Sequence, residues 1–395
     1  MKYAIIVPDG AADVPLPELA GRTPLEAADT PHMDWVAANG RIGAARTIPK
    51  GMPCGSDVAI LSVLGYDPQK HYTGRAPLEA AAQGLRIADD EWVFRCNLVT
   101  VVDGAMADYS AGHITTEEAG QLVEELNRRL GGPEVRFHRG VGYRHLMVLK
   151  GAMEVTTTPP HDILNQPVAA HQPAGKGADL LRTLMDRSRA VLADHEVNVV
   201  RRDLGENPAT SIWLWGQGKM PALPPFRARF GLQGAAITAV DLVRGLATLI
   251  GWERIEVPGA TGYIDTNYAG KGQAAVEAMD RFDIVLVHVE APDEAGHNED
   301  FAAKVRAISE VDRHVVGPVL ERLRREGQEW RILVMPDHPT PCHVRTHTPD
   351  PVPFAIAGKG FRAVVPAAFT EAAAAASDLH VGRGCDLMEY FLTVR

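Results

Sequence analysis

The sequence predicts an α/β protein, a mostly parallel sheet with helices on both faces, carrying a smaller inserted α+β domain. Three observations predict it. Short Val- and Ile-rich runs at residues 3–7, 282–289, 331–335 and 353–357 each end in a polar or glycine loop. They show no polar alternation, as expected of strands covered on both faces. Amphipathic stretches lie between them, and alternation of the two kinds argues for helices packed on a parallel sheet. The middle of the chain breaks this pattern, with several short apolar segments around a single helix.

Each element has a local reason. Thr30 before Pro31 starts a helix, with Thr30 as cap and Pro31 at the first helical position. Thr115-Thr116-Glu117-Glu118 starts another, running to about Leu130. A long helix is predicted over 301–326, with Val305, Ile308, Val311, Val315, Val319 and Leu323 as its buried stripe. In the middle, strands are expected near 94–102, 104–114, 134–138 and 143–150, followed by a Pro-rich stretch at 156–173. This places an inserted cap at 92–175 and the main domain at 1–91 and 176–395.

Composition excludes several classes. The 395 residues hold 40 Lys and Arg against 50 Asp and Glu, a formal charge of −10. Nucleic-acid binding needs a basic footprint, which this balance does not supply. The four cysteines, Cys54, Cys96, Cys342 and Cys385, form no C-x-x-C pair, so free thiols are expected. The apolar run at 3–7 is too short for a signal or a membrane span. A cytoplasmic protein without membrane contact follows, and a homo-oligomer is left open.

The chemistry-bearing residues follow the strands. Ligands of open parallel sheets bind at the carboxyl ends of the strands. Asp9 follows the first run, Asp293 and His297 the second, and Asp337 and His338 the third; His347 precedes the fourth. If these strands are neighbours, the six residues meet at one edge. Carboxylates with imidazoles suit Zn²⁺ or Mn²⁺, and a pair of such ions clamps the oxygens of a phosphoryl group in transfer. Ser56, in Pro53-Cys54-Gly55-Ser56-Asp57 ahead of an apolar helix, is the candidate nucleophile. Taken singly, Asp9-Gly10 also reads as a turn, Ser56 as a helix cap, and Asp293 with His297 as a surface pair. The shared position beside the strands is what joins them.

Together the motifs carry a resemblance. They are Asp9-Gly10-Ala11-Ala12-Asp13, Gly21-Arg22-Thr23-Pro24-Leu25-Glu26-Ala27-Ala28, Gly51-Met52-Pro53-Cys54-Gly55-Ser56-Asp57, Leu64-Gly65-Tyr66-Asp67-Pro68 and the segments 72–80, 290–297 and 335–353. Over nearly the whole chain the sequence resembles the archaeal-type cofactor-independent (2,3-bisphosphoglycerate-independent) phosphoglycerate mutases of the alkaline phosphatase superfamily. The resemblance implies an alkaline phosphatase-like fold and a phosphoserine formed at Ser56. It implies two divalent metal ions, Mn²⁺ first, with Zn²⁺, Mg²⁺ or Co²⁺ as substitutes. Asp9, Ser56, Asp337 and His338 would hold one, and Asp293, His297 and His347 the other. The substrate would be phosphoglycerate. Arg75, Arg95, Arg139, Arg144 and Lys271 are candidates for its carboxylate. His113 is the candidate acid/base group, with His145 as competitor.

Two stretches open an alternative. Tyr109-Ser110-Ala111-Gly112-His113 stands where the archaeal mutases favour arginines. The segment 207–218 resembles a bacterial subgroup proposed to act as homoserine kinases, which would use the same serine and metals on another acceptor. A third reading is a phosphatase or phosphodiesterase, and a fourth a metal-stabilised scaffold, which would leave Ser56 without a role.

Overall fold

The computed structural model describes residues 1–325 and 327–393. The chain divides into two units, Met1–Tyr72 with Ala222–Arg395, and Thr73–Pro221.

The larger unit is built on an eight-stranded sheet. Its order is Glu253–Arg254, Gly234–Ile237, Ile284–Val289, Lys2–Pro8, Trp330–Val334, Val352–Gly358, Arg41–Ala45 and His380–Val381. All pairings are parallel except those of Val352–Gly358, which runs antiparallel to both neighbours. The central strands are apolar because both faces are covered: Ile5, Ile6, Val7, Val287, Leu333 and Val334 are fully buried. The reversed strand matters for the site. Lys2–Pro8, Ile284–Val289 and Trp330–Val334 all finish at one edge, and Val352–Gly358 begins there, Val352 pairing with Ala45. A residue ahead of that strand therefore reaches the edge that residues after the other three reach.

The long helix predicted over 301–326 is not a single regular one. It runs as Phe301–Val311, a π-helical turn Asp312–Val316, and Gly317–Arg325; Glu326 lies outside the described residues. The turn brings the Asp312 carboxylate to the start of the helix Pro31–Ala38, where it accepts the N–H groups of Met33 at 2.7 Å and His32 at 3.1 Å. Thr30 occupies the cap position but its side chain makes no capping bond. Asp312 takes that role.

The smaller unit is α+β. Glu91–Val102 is its longest strand, flanked by Ala105–Asp108, Arg144–Lys150 and Ser211–Gly218, with Val135–Val141 beyond. The helix Thr116–Leu130 opens on a full capping box between Thr115 and Glu118, as its sequence predicts. The unit is wider than 92–175 at both ends. The helix Arg75–Ala82 packs Ala76 and Ala80 on Val93 and Leu146, and helix Ala178–Ala193 and strand Ser211–Gly218 complete its core. The strand expected at 104–114 stops at Asp108. There the Asp108 carboxylate accepts the N–H of Ser110 and of Gly112, each at 2.7 Å, and turns the chain. All four cysteines are free. Among the described residues, no helix is long and apolar enough to cross a membrane.

Candidate active site

The six strand-edge residues and Ser56 converge in the larger unit. Asp9, Asp337 and His338 are 0% exposed and Asp293 5%, so three carboxylates share one dry space. Ser56 is the first residue of helix Ser56–Val63, behind Gly55 at the cap. Its hydroxyl lies 3.1 Å from His338 Nε2 and 3.5 Å from Asp9 Oδ2. Asp293 and His297 sit on the short helix Ala291–His297. His297 Nε2 is 3.2 Å from Asp293 Oδ2, His347 Nε2 is 3.4 Å from Asp293 Oδ1, and the two Nε2 atoms are 2.9 Å apart.

The imidazoles share one orientation. His297 Nδ1 meets Arg345 O at 2.9 Å, His347 Nδ1 meets Cys54 O at 3.2 Å, and His338 Nδ1 meets Thr340 Oγ1 at 3.3 Å. Each Nε2 is thereby left to face the centre, the outer-partner arrangement that metal-ligating histidines use. A further histidine completes the pattern. His288 is 0% exposed, inside the strand Ile284–Val289, with Nδ1 3.3 Å from Thr238 Oγ1 and Nε2 3.0 Å from Asp9 Oδ2. It is hidden in the sequence because it lies inside a strand and not beyond one. The visible signal was one histidine interrupting an otherwise apolar run.

Three buried atoms test whether cations belong here. Asp9 Oδ1, Asp337 Oδ2 and His288 Nε2 make no well-directed hydrogen bond among the described residues, although His288 Nε2 lies close to Asp9 Oδ2 and His338 Nε2 is 3.4 Å from Asp337 Oδ2. Buried polar groups are otherwise almost always satisfied, so the donor set fits divalent ions. The donors fall into close groups: Asp293, His297 and His347; Asp9, His288 and Asp337; and Asp9, Asp293 and His338.

Electrostatics agree. Burial, with the negative fields of Asp337 and Asp293, pushes Asp9 well above the usual carboxylate range. Burial also works upward on Asp293, but hydrogen bonds from His297 and His347 outweigh it and hold Asp293 well below. The bond to Asp293 raises His297 to about 9. Burial drives His288 down to about 4, which keeps it a neutral donor. Gly10 is needed where it stands. Its φ is +62°, and a Cβ there would lie 2.6 Å from both Asp293 Oδ1 and Thr340 Oγ1.

The remaining candidates separate. Lys271 belongs to the larger unit, fully buried on helix Tyr268–Ala278, with Nζ 3.3 Å from His288 O. Burial lowers it to about 8. It thus packs behind His288. In the smaller unit, Arg95 pairs with Glu79 at 3.1 Å and lies 4.3 Å over the Trp215 ring. Arg75 and Arg144 both bear on Arg95 electrostatically, and Arg144 lies over Tyr143. Arg139 is turned away to Glu124 at 2.9 Å. His113 is exposed in the Asp108 turn with φ +50°. His145 is buried, accepts the Gly140 N–H on Nδ1, and is lowered by burial to about 4.

Fold and centre define a class, a metal-dependent α/β enzyme with a helix-opening serine beside its carboxylates and imidazoles. The 2,3-bisphosphoglycerate-independent phosphoglycerate mutase model matches residues 37–198. A mutase of that name from Methanothrix thermoacetophila is 51% identical over 392 residues, covering 99% of this chain and 100% of the relative. One from Methanothermobacter thermautotrophicus is 53% identical over 91% of this chain and 89% of its own length. Among solved structures, a Pyrococcus horikoshii protein aligns with TM-score 0.85 at 32% identity, over 99% of this chain and 96% of its own. The cofactor-independent phosphoglycerate mutase from Thermoplasma acidophilum aligns with TM-score 0.68 at 28% identity, over 99% of this chain and all of its own. The chain belongs to the 2,3-bisphosphoglycerate-independent phosphoglycerate mutase family. This does not favour the homoserine kinase reading.

Proposed function

We propose that this chain interconverts 2- and 3-phosphoglycerate without a bisphosphoglycerate cofactor, with Ser56 Oγ carrying the phosphoryl group between the two positions. The observation that carries the reading is Ser56 Oγ set 3.1 Å from His338 Nε2, among buried carboxylates and imidazoles three of whose atoms make no well-directed hydrogen bond. Asp9, Ser56, Asp337 and His338, with His288 beside them, would hold one divalent ion; Asp293, His297 and His347 would hold a second. Mn²⁺ is our first choice, ahead of Zn²⁺, Mg²⁺ and Co²⁺. Such a pair, when bound, favours the serine alkoxide and neutralises phosphoryl oxygens.

The chain's own residues do the rest. Helix Ser56–Val63 offers its first N–H groups to the phosphoryl oxygens. Ser56 Oγ gives up its proton and bonds to phosphorus as the bond from phosphorus to the glycerate oxygen breaks. The freed glycerate oxygen takes a proton. The other glycerate hydroxyl then gives up its proton as its oxygen bonds to phosphorus, the bond from phosphorus to Ser56 Oγ breaks, and Ser56 Oγ regains a proton. No water is consumed, so the site has to exclude it, and the buried carboxylates stand where little water reaches.

We assign the unit Thr73–Pro221 the cap's role of holding the glycerate. Arg75, Arg95 and Arg144 supply its carboxylate partners, and His113 is the proton carrier in preference to the buried, neutral His145. Lys271 acts through His288, not on glycerate. The reaction belongs in the cytoplasm. The test is conversion of 3-phosphoglycerate to 2-phosphoglycerate with Mn²⁺ and no bisphosphoglycerate, read through coupled enolase. Turnover that vanishes in Ser56→Ala supports the reading, and a metal-loaded protein without turnover refutes it.

A further inference from the structure

Lys304 is fully buried on the helix Phe301–Val311, a place where a lysine needs a reason. Its Nζ meets Asp13 Oδ2 at 2.9 Å, Thr340 O at 2.8 Å and Ala12 O at 3.4 Å. An ammonium has three donors, and all three are used. Asp13, itself buried, also accepts the Cys342 N–H at 3.0 Å on the same oxygen. Thr340 N donates to Ala12 O at 3.3 Å. The ion pair thus ties the segment behind Asp9 to the segment behind Asp337 and His338.

Thr340 passes this on to the site. Its hydroxyl donates to Asp293 Oδ1 and lies 3.3 Å from His338 Nδ1. A hydroxyl has one proton. With that proton on Asp293, its lone pair accepts from His338 Nδ1–H, which leaves the Nε2 lone pair facing Ser56. We propose that Lys304, paired with Asp13, is a positioning residue for the metal centre, setting the Thr340 hydroxyl that aims Asp293 and His338. This rests on the metal reading given above. A buried ion pair adds little net stability by itself, and two of the three Lys304 contacts go to loop carbonyls, not to Asp13.

The test measures Mn²⁺ binding to the whole chain, prepared metal-free, by calorimetric titration and by the electron paramagnetic resonance spectrum of the bound ion. Wild type is compared with the double variant Asp13→Asn/Lys304→Met and with Thr340→Val. The double variant removes both charges of the pair together. Both variants are expected to fold, to bind Mn²⁺ about ten- to a hundredfold more weakly, and to alter its spectrum. Loss of a pair that only stabilised would lower the unfolding midpoint and leave affinity and spectrum alone. Wild-type affinity and spectrum in the folded double variant overturn the proposal. Should the double variant not fold, wild-type binding by Thr340→Val overturns it. A wild type that binds no Mn²⁺ overturns the metal reading as well, whereas normal binding in all proteins overturns the positioning role alone.

Discussion

At the scale of single residues, the site is a set of donors aimed by their second partners. Four imidazoles turn Nε2 inward because Nδ1 is engaged elsewhere. His297 makes the consequence measurable. Its folded pKa is raised to about 9, above the ordinary value near 6.5. Below about 9 a metal must displace its proton, so Mn²⁺ affinity should rise about tenfold per pH unit from 7 and level off near 9. For the metal-free fold the sign is opposite: His297 stabilises below about 6.5, and that contribution fades as pH rises through about 9. Titrations across this range check both, and His297→Gln should flatten them. Gly10→Ala should cost about 1–3 kcal/mol in urea unfolding and weaken metal binding, because φ +62° and a 2.6 Å approach to Asp293 Oδ1 leave no room for a methyl group. The convergence of the proposed metal donors after the strands was legible in the sequence because loops break apolar runs visibly. His288 and Lys304 were not, since each is a polar residue inside a buried element and only the neighbours reveal its purpose.

At the scale of elements, the reversed strand Val352–Gly358 explains why His347 works from ahead of a strand. Apolar runs predict a strand but carry no direction, so its orientation was unreadable. The helix entry at Pro31 was readable from Thr30-Pro31, yet its cap comes from Asp312, which lies 279 positions from Met33. Local sequence cannot name so distant a partner. Asp312→Ala should leave two N–H groups unpaired and destabilise the larger unit by about 2–4 kcal/mol, read from denaturant unfolding at neutral pH. An unchanged midpoint would mean that Thr30 or water takes over the cap.

For the whole molecule, the α/β class and the inserted α+β unit followed from strand and helix alternation, while the unit's limits did not. Helix Arg75–Ala82 and strand Ser211–Gly218 belong to Thr73–Pro221 through packing at Val93 and pairing with Glu91–Val102, and neither relation is written locally. All the proposed metal donors lie in Met1–Tyr72 and Ala222–Arg395. Mn²⁺ at a hundredfold excess over its dissociation constant should therefore add about 2.7 kcal/mol to that unit's stability. Hydrogen exchange should show the gain there and not in Thr73–Pro221, and chelation should reverse it. The most direct test of the central claim is to quench the Mn²⁺-loaded protein in acid during turnover of 3-phosphoglycerate and map its phosphopeptides by mass spectrometry. The account predicts a phosphoryl group on Ser56 while 2-phosphoglycerate accumulates without bisphosphoglycerate. Turnover with Ser56 never modified, or with the phosphoryl group on another residue, would contradict it.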